Sequence, residues 1–220
     1  QHMKHLLVLI SGKQGSGKTS LANGLRQALN TRGEIASYHY KFADVLYDLH
    51  DEIMYIMKNY LPEDHEMFQK TDSRLLQLLG TEWGREQYGE NIWVDILKNR
   101  LHEPTTGNRF FWPFTPRTSK VSIIDDARFP NEINMQWTPK LTVRLTANRH
   151  TRILRCLKWR KEEYHISETA LDEAQERGEF DILIDTALIG LEETVRMVTY
   201  EALLKLNLVE EVIRSDALTS

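Results

Sequence analysis

The run Gly12-Lys-Gln-Gly-Ser-Gly-Lys18-Thr19 constrains this chain more than any other segment, because it matches G-x-x-x-x-G-K-[ST] at every specified position. Average residue usage gives such a match by chance in on the order of one per cent of chains this long. The flanks remove most of that chance. Residues 5–11 (HLLVLIS) have the length and branched content of a buried parallel strand. From Lys18 to about Asn30, Leu21, Leu25, Ala28 and Leu29 fall on one helical face. Strand, glycine-rich turn and helix in that order let successive backbone N–H groups curl around phosphate oxygens, and the helix N-terminus adds partial positive charge. Gly12, Gly15, Ser16, Gly17, Lys18, Thr19 and Ser20 are therefore the candidate contacts for ATP. Lys18 is expected at the β- and γ-phosphates, and the Thr19 hydroxyl at Mg2+.

Strand-like and helix-like stretches alternate along the rest of the chain. Residues 36–42, 121–124, 141–145 and 182–184 read as strands, and 44–60, 72–79, 93–101, 149–164 and 191–206 as helices. That alternation predicts an α/β fold, a parallel sheet with helices on both faces: the three-layer sandwich of P-loop NTPases. The 220 residues suit one domain with a small inserted lid. Residues 103–119, with Pro104, Pro113 and Pro116 beside Phe110, Phe111 and Trp112, read as a surface excursion. Gln1-His2 ahead of Met3 reads as a tag remnant.

Composition narrows the partners. A formal net charge of −4 argues against a protein that coats nucleic-acid polymers, yet leaves room for a nucleotide held by a local cluster of cations. No run of about 18 apolar residues is present, so no membrane span is expected. One cysteine, Cys156, cannot form an internal disulfide, which suits the cytoplasm.

A phosphate loop of this kind needs a carboxylate at the end of a nearby strand to hold magnesium. Val121-Ser-Ile-Ile-Asp125-Asp126 supplies two, and Asp126 is expected nearer the metal. Asp pairs also cap turns, the plainer use.

Beyond the acids the chain reads Ala127-Arg128-Phe129-Pro130-Asn131-Glu132, and here it resembles the phage-type deoxynucleoside monophosphate kinases, a branch of the P-loop NMP kinase superfamily. Lys41-Phe42-Ala43-Asp44 stands where that family carries a Phe-Ala-Asp-like turn. Leu76-Gln-Leu-Leu-Gly-Thr-Glu-Trp-Gly-Arg85, with Trp93-Val94 beyond, is similar to its Leu-Gly-Thr-Glu-x-x-Arg block, and His165-Ile-Ser-Glu168 to its His-x-Ser-Glu segment. The matches run in family order from Gly12 to about Asp185. Asp44-Val-Leu-Tyr47 departs from the Asp-Pro-Leu-Lys often found there, a difference on the acceptor side.

The resemblance implies a kinase domain over 3–214, with an NMP-binding insertion at about 44–101 and a lid at about 148–165. It also implies that Arg128 and one of Arg74 and Arg85 grip the acceptor's monophosphate, as guanidinium forks do. Asp44 either approaches that phosphate or caps the following helix, and Trp93, like Trp83 and Phe129, either stacks on the base or belongs to the core. Arg149, Arg152, Arg155 and Lys158 recur every three residues, with Arg160 and Lys161 after them. In the lid reading Arg152 and Arg155 touch the transferring phosphoryl group; otherwise this is a solvated basic helix. The implied reaction is phosphoryl transfer from MgATP to a nucleoside monophosphate, in the host cytoplasm if phage-encoded, and by analogy in a homodimer. Phosphomevalonate kinases of the animal type share the loop and the Asp-x-Arg motif, so another small-molecule kinase stays open. So does a nucleotide-dependent switch.

Overall fold

The computed structural model describes residues 3–102, 118–156, 159 and 166–209. The chain forms two compact units, one from Gln1–Tyr40 with Thr105–Ser220, the other from Lys41–Pro104. The strands are β1 (Lys4–Gly12), β2 (Ile35–Tyr40), β3 (Ser119–Ala127), β4 (Lys140–Thr146) and β5 (Ile182–Asp185). The α-helices are α1 (Lys18–Asn30), α2 (Asp44–Met57), α3 (Ser73–Gln77), α4 (Ile92–His102), α5 (Pro130–Ile133), α6 (Arg149–Arg155), α7 (Ile166–Thr169), α8 (Asp172–Glu176) and α9 (Leu191–Leu206).

All the strands belong to the first unit, in one parallel sheet ordered β2-β3-β1-β4-β5. The strand that precedes the phosphate loop is the central one: Val8 stands beside Ile123 of β3 on one side and Leu141 of β4 on the other. Period-two alternation sends Leu6, Val8 and Ile10 into a core with Leu21, Leu25 and Leu29 of α1 and Val198, Ala202 and Leu206 of α9. Each such leucine or isoleucine, taken fully out of water, contributes about 2 kcal/mol of hydrophobic stabilisation. On the opposite face β4 carries Arg144, whose guanidinium is bonded to Asp172 and Gln175 of α8. Strand after strand ends at the same edge, and the crevice above β1 and β3, where the strand order reverses, is where an open α/β sheet presents ligands.

The second unit is helical. His50 of α2 accepts from the Asp72 N–H through Nε2 (3.0 Å), which ties α2 to the turn that opens α3. Asp72 in turn caps α3 by accepting from the Arg74 and Leu75 N–H groups. The expected helix over 72–79 is really α3 followed by a π-helix, Leu78–Glu86. Its wider winding accommodates Trp93: a Cβ on Gly84 would collide with the indole, whose Nε1–H donates to Gly80 O at 2.8 Å.

Two of the boundaries that differ from expectation have a local cause. β2 stops at Tyr40 because Asp44 Oδ2 accepts from the Lys41 N–H (2.8 Å), which closes a turn before α2. The basic helix stops at Arg155: Cys156 is extended (φ −104, ψ 101), and the Arg155 guanidinium is drawn onto Thr186. Lys158, Arg160, Lys161, His165 and the excursion over 103–117 lie outside the described residues, and with them much of the expected lid. No described helix is long and apolar enough to cross a membrane.

Candidate active site

The loop between β1 and α1 is shaped by its glycines. Gly15 has φ +78 and Gly17 φ +98, both in the left-handed region where a side chain is strained. At Gly15 the backbone is also crowded, since an added Cβ would stand 2.5 Å from Arg152 O of α6. At Gly17 nothing lies within 4 Å, so its need is conformational alone. Gly17 then caps α1, which gives the loop the positive end of a 13-residue helix. The Ser16 hydroxyl is buried with no hydrogen-bond partner among the described residues.

Lys18 folds back along the loop, its Nζ donating to Gly12 O (2.6 Å) and Lys13 O (3.2 Å). Burial pushes its pKa down to about 8. The positive charge of Arg128 acts in the same direction, Glu168 and Asp125 oppose it, and Arg144 adds a smaller downward pull. Lys18 and Arg128 therefore share one electrostatic neighbourhood. Thr19 Oγ1 donates to Asp125 Oδ2 at 2.8 Å. Of the two strand acids, the structure sets Asp125 against Thr19. Period two explains it: Asp125 points inward with 2% exposure, its neighbour is half-buried, and only one of two consecutive strand residues can face the loop.

Arg128 follows directly. Glu132, 3% exposed, accepts from the Arg128 N–H (2.7 Å) and the Phe129 N–H (3.1 Å), and so clamps the turn from β3 into α5. This makes sense of Arg-Phe-Pro-Asn-Glu as a unit: proline starts the helix and glutamate at its third position reaches back to cap it. The Arg128 side chain is nearly half exposed, with Nη1 3.3 Å from Ser167 Oγ and 3.6 Å from Glu168 Oε1.

The α6–α8 side also reaches the loop. Arg152 is buried, donating to Ala147 O and to Gln14 O (both 3.2 Å), with its guanidinium 5.4 Å from the Trp159 ring centroid. Arg155 donates to Thr186 Oγ1 (2.8 Å) and Thr186 O (2.7 Å), and Thr186 Oγ1 donates to Ser16 O of the loop. Glu168 Oε2 accepts from the Gln14 N–H at 2.8 Å, and Asp172 pairs with Lys13 (2.8 Å) and Arg144 (3.0 Å). Two cavities flank the loop. One of about 240 Å³ is largely apolar and lies among Ser20, Leu145, Arg155, Thr186, Ile189 and Leu191. The other, about 340 Å³ and more polar, is bordered by Lys13, Arg144, Arg152 and Asp172.

The remaining candidates belong to the second unit. Asp44 closes the Lys41 turn, Arg74 is exposed, and Arg85 is half-buried on the π-helix. Trp93, expected in contact with a base or in the core, is in the core at 3% exposure. Sequence reasoning passed over His39, whose Nε2 stands 3.0 Å from Asp125 Oδ1, as well as Glu132, Arg144 and Asp172. Only Glu132 left a local signal, its capping position after proline.

For a divalent cation, the donor set at Thr19 and Asp125 is of the right kind. Among the described residues no group of three or more His, Cys, Asp or Glu side chains is placed to hold a metal, and one hydroxyl with one carboxylate fits magnesium that takes its other oxygens from phosphate and water.

No curated protein matches the sequence. Among solved structures the fold is similar to TT1252 from Thermus thermophilus, at 15% identity and a TM-score of 0.56 over 94% of this chain and 99% of that one. Looser overlaps are with a gluconokinase from Sinorhizobium meliloti 1021 (17% identity, TM-score 0.47, 98% of this chain and 99% of that one) and a shikimate kinase from Bacteroides thetaiotaomicron (16%, 0.44, 90% and 98%). Such identities speak to fold alone, and only the first overlap is close enough to do so. The family model described as AAA domain matches residues 8–178, which span the loop, the strand acids and the Arg128 turn. The chain belongs to that family, built on a three-layer α/β P-loop fold.

Proposed function

We propose that the chain is an ATP-dependent kinase whose acceptor is a (deoxy)nucleoside 5′-monophosphate. The observation that carries this reading is the convergence of the loop's Gln14 N–H and the Arg128 guanidinium on one carboxylate, that of Glu168. A switch that only holds a nucleotide needs one phosphate cradle. A guanidinium held just beyond it by a clamped turn supports a second phosphate within reach of the first.

In this reading the loop amides and Lys18 grip the β- and γ-phosphates, and the small apolar cavity beside Arg155 takes the donor's base. Thr19 and Asp125 would hold Mg2+, with Asp126 as the second acid beside them, and the ion when bound would neutralise phosphate charge. Arg128 orients the acceptor's phosphate. An oxygen of that phosphate attacks the γ-phosphorus, the bond to the β–γ bridging oxygen breaks, and its electron pair leaves with ADP. No general base is required, because the attacking oxygen is already anionic. Arg152 and Arg155 are the lid cations in this scheme, and for the transfer they would exchange carbonyl and hydroxyl partners for phosphoryl oxygens. The match of residues 76–85 to a nucleotide-kinase block supports a nucleotide over other phosphorylated acceptors, with Arg74 or Arg85 as a further phosphate contact.

The test is coupled ADP release with MgATP against a panel of ribo- and deoxynucleoside monophosphates, with phosphomevalonate alongside. Turnover that depends on one or more nucleotides is the expected result. Turnover with phosphomevalonate alone would replace the acceptor, and acceptor-independent slow hydrolysis would replace the kinase by a switch.

A further inference from the structure

We infer that Glu168 is a positioning residue that makes donor and acceptor phosphate binding cooperative, because its carboxylate stands in for phosphate at both sites at once. The inference rests on the two-phosphate reading above. Glu168 Oε2 takes the Gln14 N–H, an amide of the phosphate loop, at 2.8 Å. Its other oxygen faces Arg128 Nη1 at 3.6 Å. A backbone amide and a guanidinium on one anion are donors that a phosphoryl group uses. At 16% exposure the Glu168 side chain is not a solvated surface charge.

The attachment is built to be reversible. Glu168 rides on α7, a four-residue helix with no buried residue of its own. A triphosphate entering the loop competes for the Gln14 N–H, and an acceptor phosphate competes for Arg128. Whichever arrives first displaces the shared carboxylate, and the second ligand finds its donors already released. Displacement is thus paid for once, and linkage requires the benefit to be mutual: each ligand tightens the other by the same factor.

The test uses the full chain and the variant Glu168→Gln, which keeps the shape and removes the charge. Inorganic tripolyphosphate is the first probe, since it reads the loop without a base. Calorimetry is expected to give a Kd about tenfold lower for the variant. In steady-state kinetics the wild-type KM for MgATP should fall as acceptor from the panel is raised, whereas the variant's KM should be lower and independent of acceptor, with kcat little changed. An unchanged or weaker tripolyphosphate Kd in the variant overturns the inference while leaving the kinase reading intact. So does a dependence of KM on acceptor that survives the substitution. A wild-type chain that binds neither tripolyphosphate nor MgATP overturns both. Should Glu168→Gln not fold, Glu168→Asp withdraws the charge by one methylene and is read the same way.

Discussion

On its β3 flank the phosphate loop meets groups that the sheet holds in place; on its α6–α8 flank it meets charges carried by short helices. Asp125 and the Arg128 turn sit at the end of a strand paired on both sides, and their anchors are a buried carboxylate and a buried capping glutamate. Glu168, Asp172, Arg152 and Arg155 come from helices of four to seven residues, and Asp172 and Arg155 are substantially open to water. The first flank is preorganised, as a site for developing charge should be. The second is held by contacts a phosphate can replace. One motif is therefore gripped by a fixed wall and a displaceable one.

Variants can break this contrast. Lys18→Ala belongs to neither wall and should have the largest effect, a loss of transfer on the order of a thousandfold with the fold retained by circular dichroism. Wild-type-like turnover would remove the loop from the chemistry. Glu132→Ala on the fixed side leaves two amide donors without their acceptor, and should lower stability by about 2–3 kcal/mol in urea unfolding while raising the acceptor KM. If stability is unchanged, the clamp does not exist.

The pH dependence sharpens the same comparison. Below about pH 8 Lys18 is charged in both the folded and unfolded chain, and its burial opposes folding in full; between 8 and its ordinary 10.5 only the unfolded chain keeps the proton, so that opposition fades as pH rises. Phosphate requires the charged form. The Kd for MgADP should therefore rise about tenfold per pH unit above 8, with proton uptake detected as a buffer-dependent heat, and Lys18→Arg should flatten the profile. The smallest effect is expected on the displaceable side. Arg155→Ala removes two exposed hydrogen bonds to Thr186 and should cost under about 1 kcal/mol in melting experiments. A loss as large as that of Glu132→Ala would abolish the distinction between the walls.

The fixed side was also the more legible in sequence. Residues 5–11 and 18–30 carry their own periodicity, so β1, the loop and α1 stand where the pattern puts them. The pair Asp125-Asp126 announced a metal acid, but which member faces Thr19 depends on strand phase, and β3 begins two residues earlier than its apolar run suggests. His39 and Arg144 left no local signal, because their partners lie 86 and 28 residues away and are met only through the sheet and the α8 contact. The π-helix is invisible for the same reason: its winding answers to the Trp93 ring, which no local pattern in residues 78–86 records. Glu168 was legible as part of a motif, but its contact with the Gln14 amide was not.

The central place of β1 also bears on how the protein is made. Lys4 pairs with Ser119, and Gly12 with Leu145, so a strand near the start of the chain waits for partners more than a hundred residues downstream. During synthesis the scaffold that shapes the glycine-rich loop is complete only after β4 has been made. Contacts of such long sequence separation form slowly and leave an apolar strand uncovered in the interval. Residues 5–11 therefore stay uncovered in the nascent chain until β3 and β4 have been made, and the loop is shaped for a nucleotide only after that.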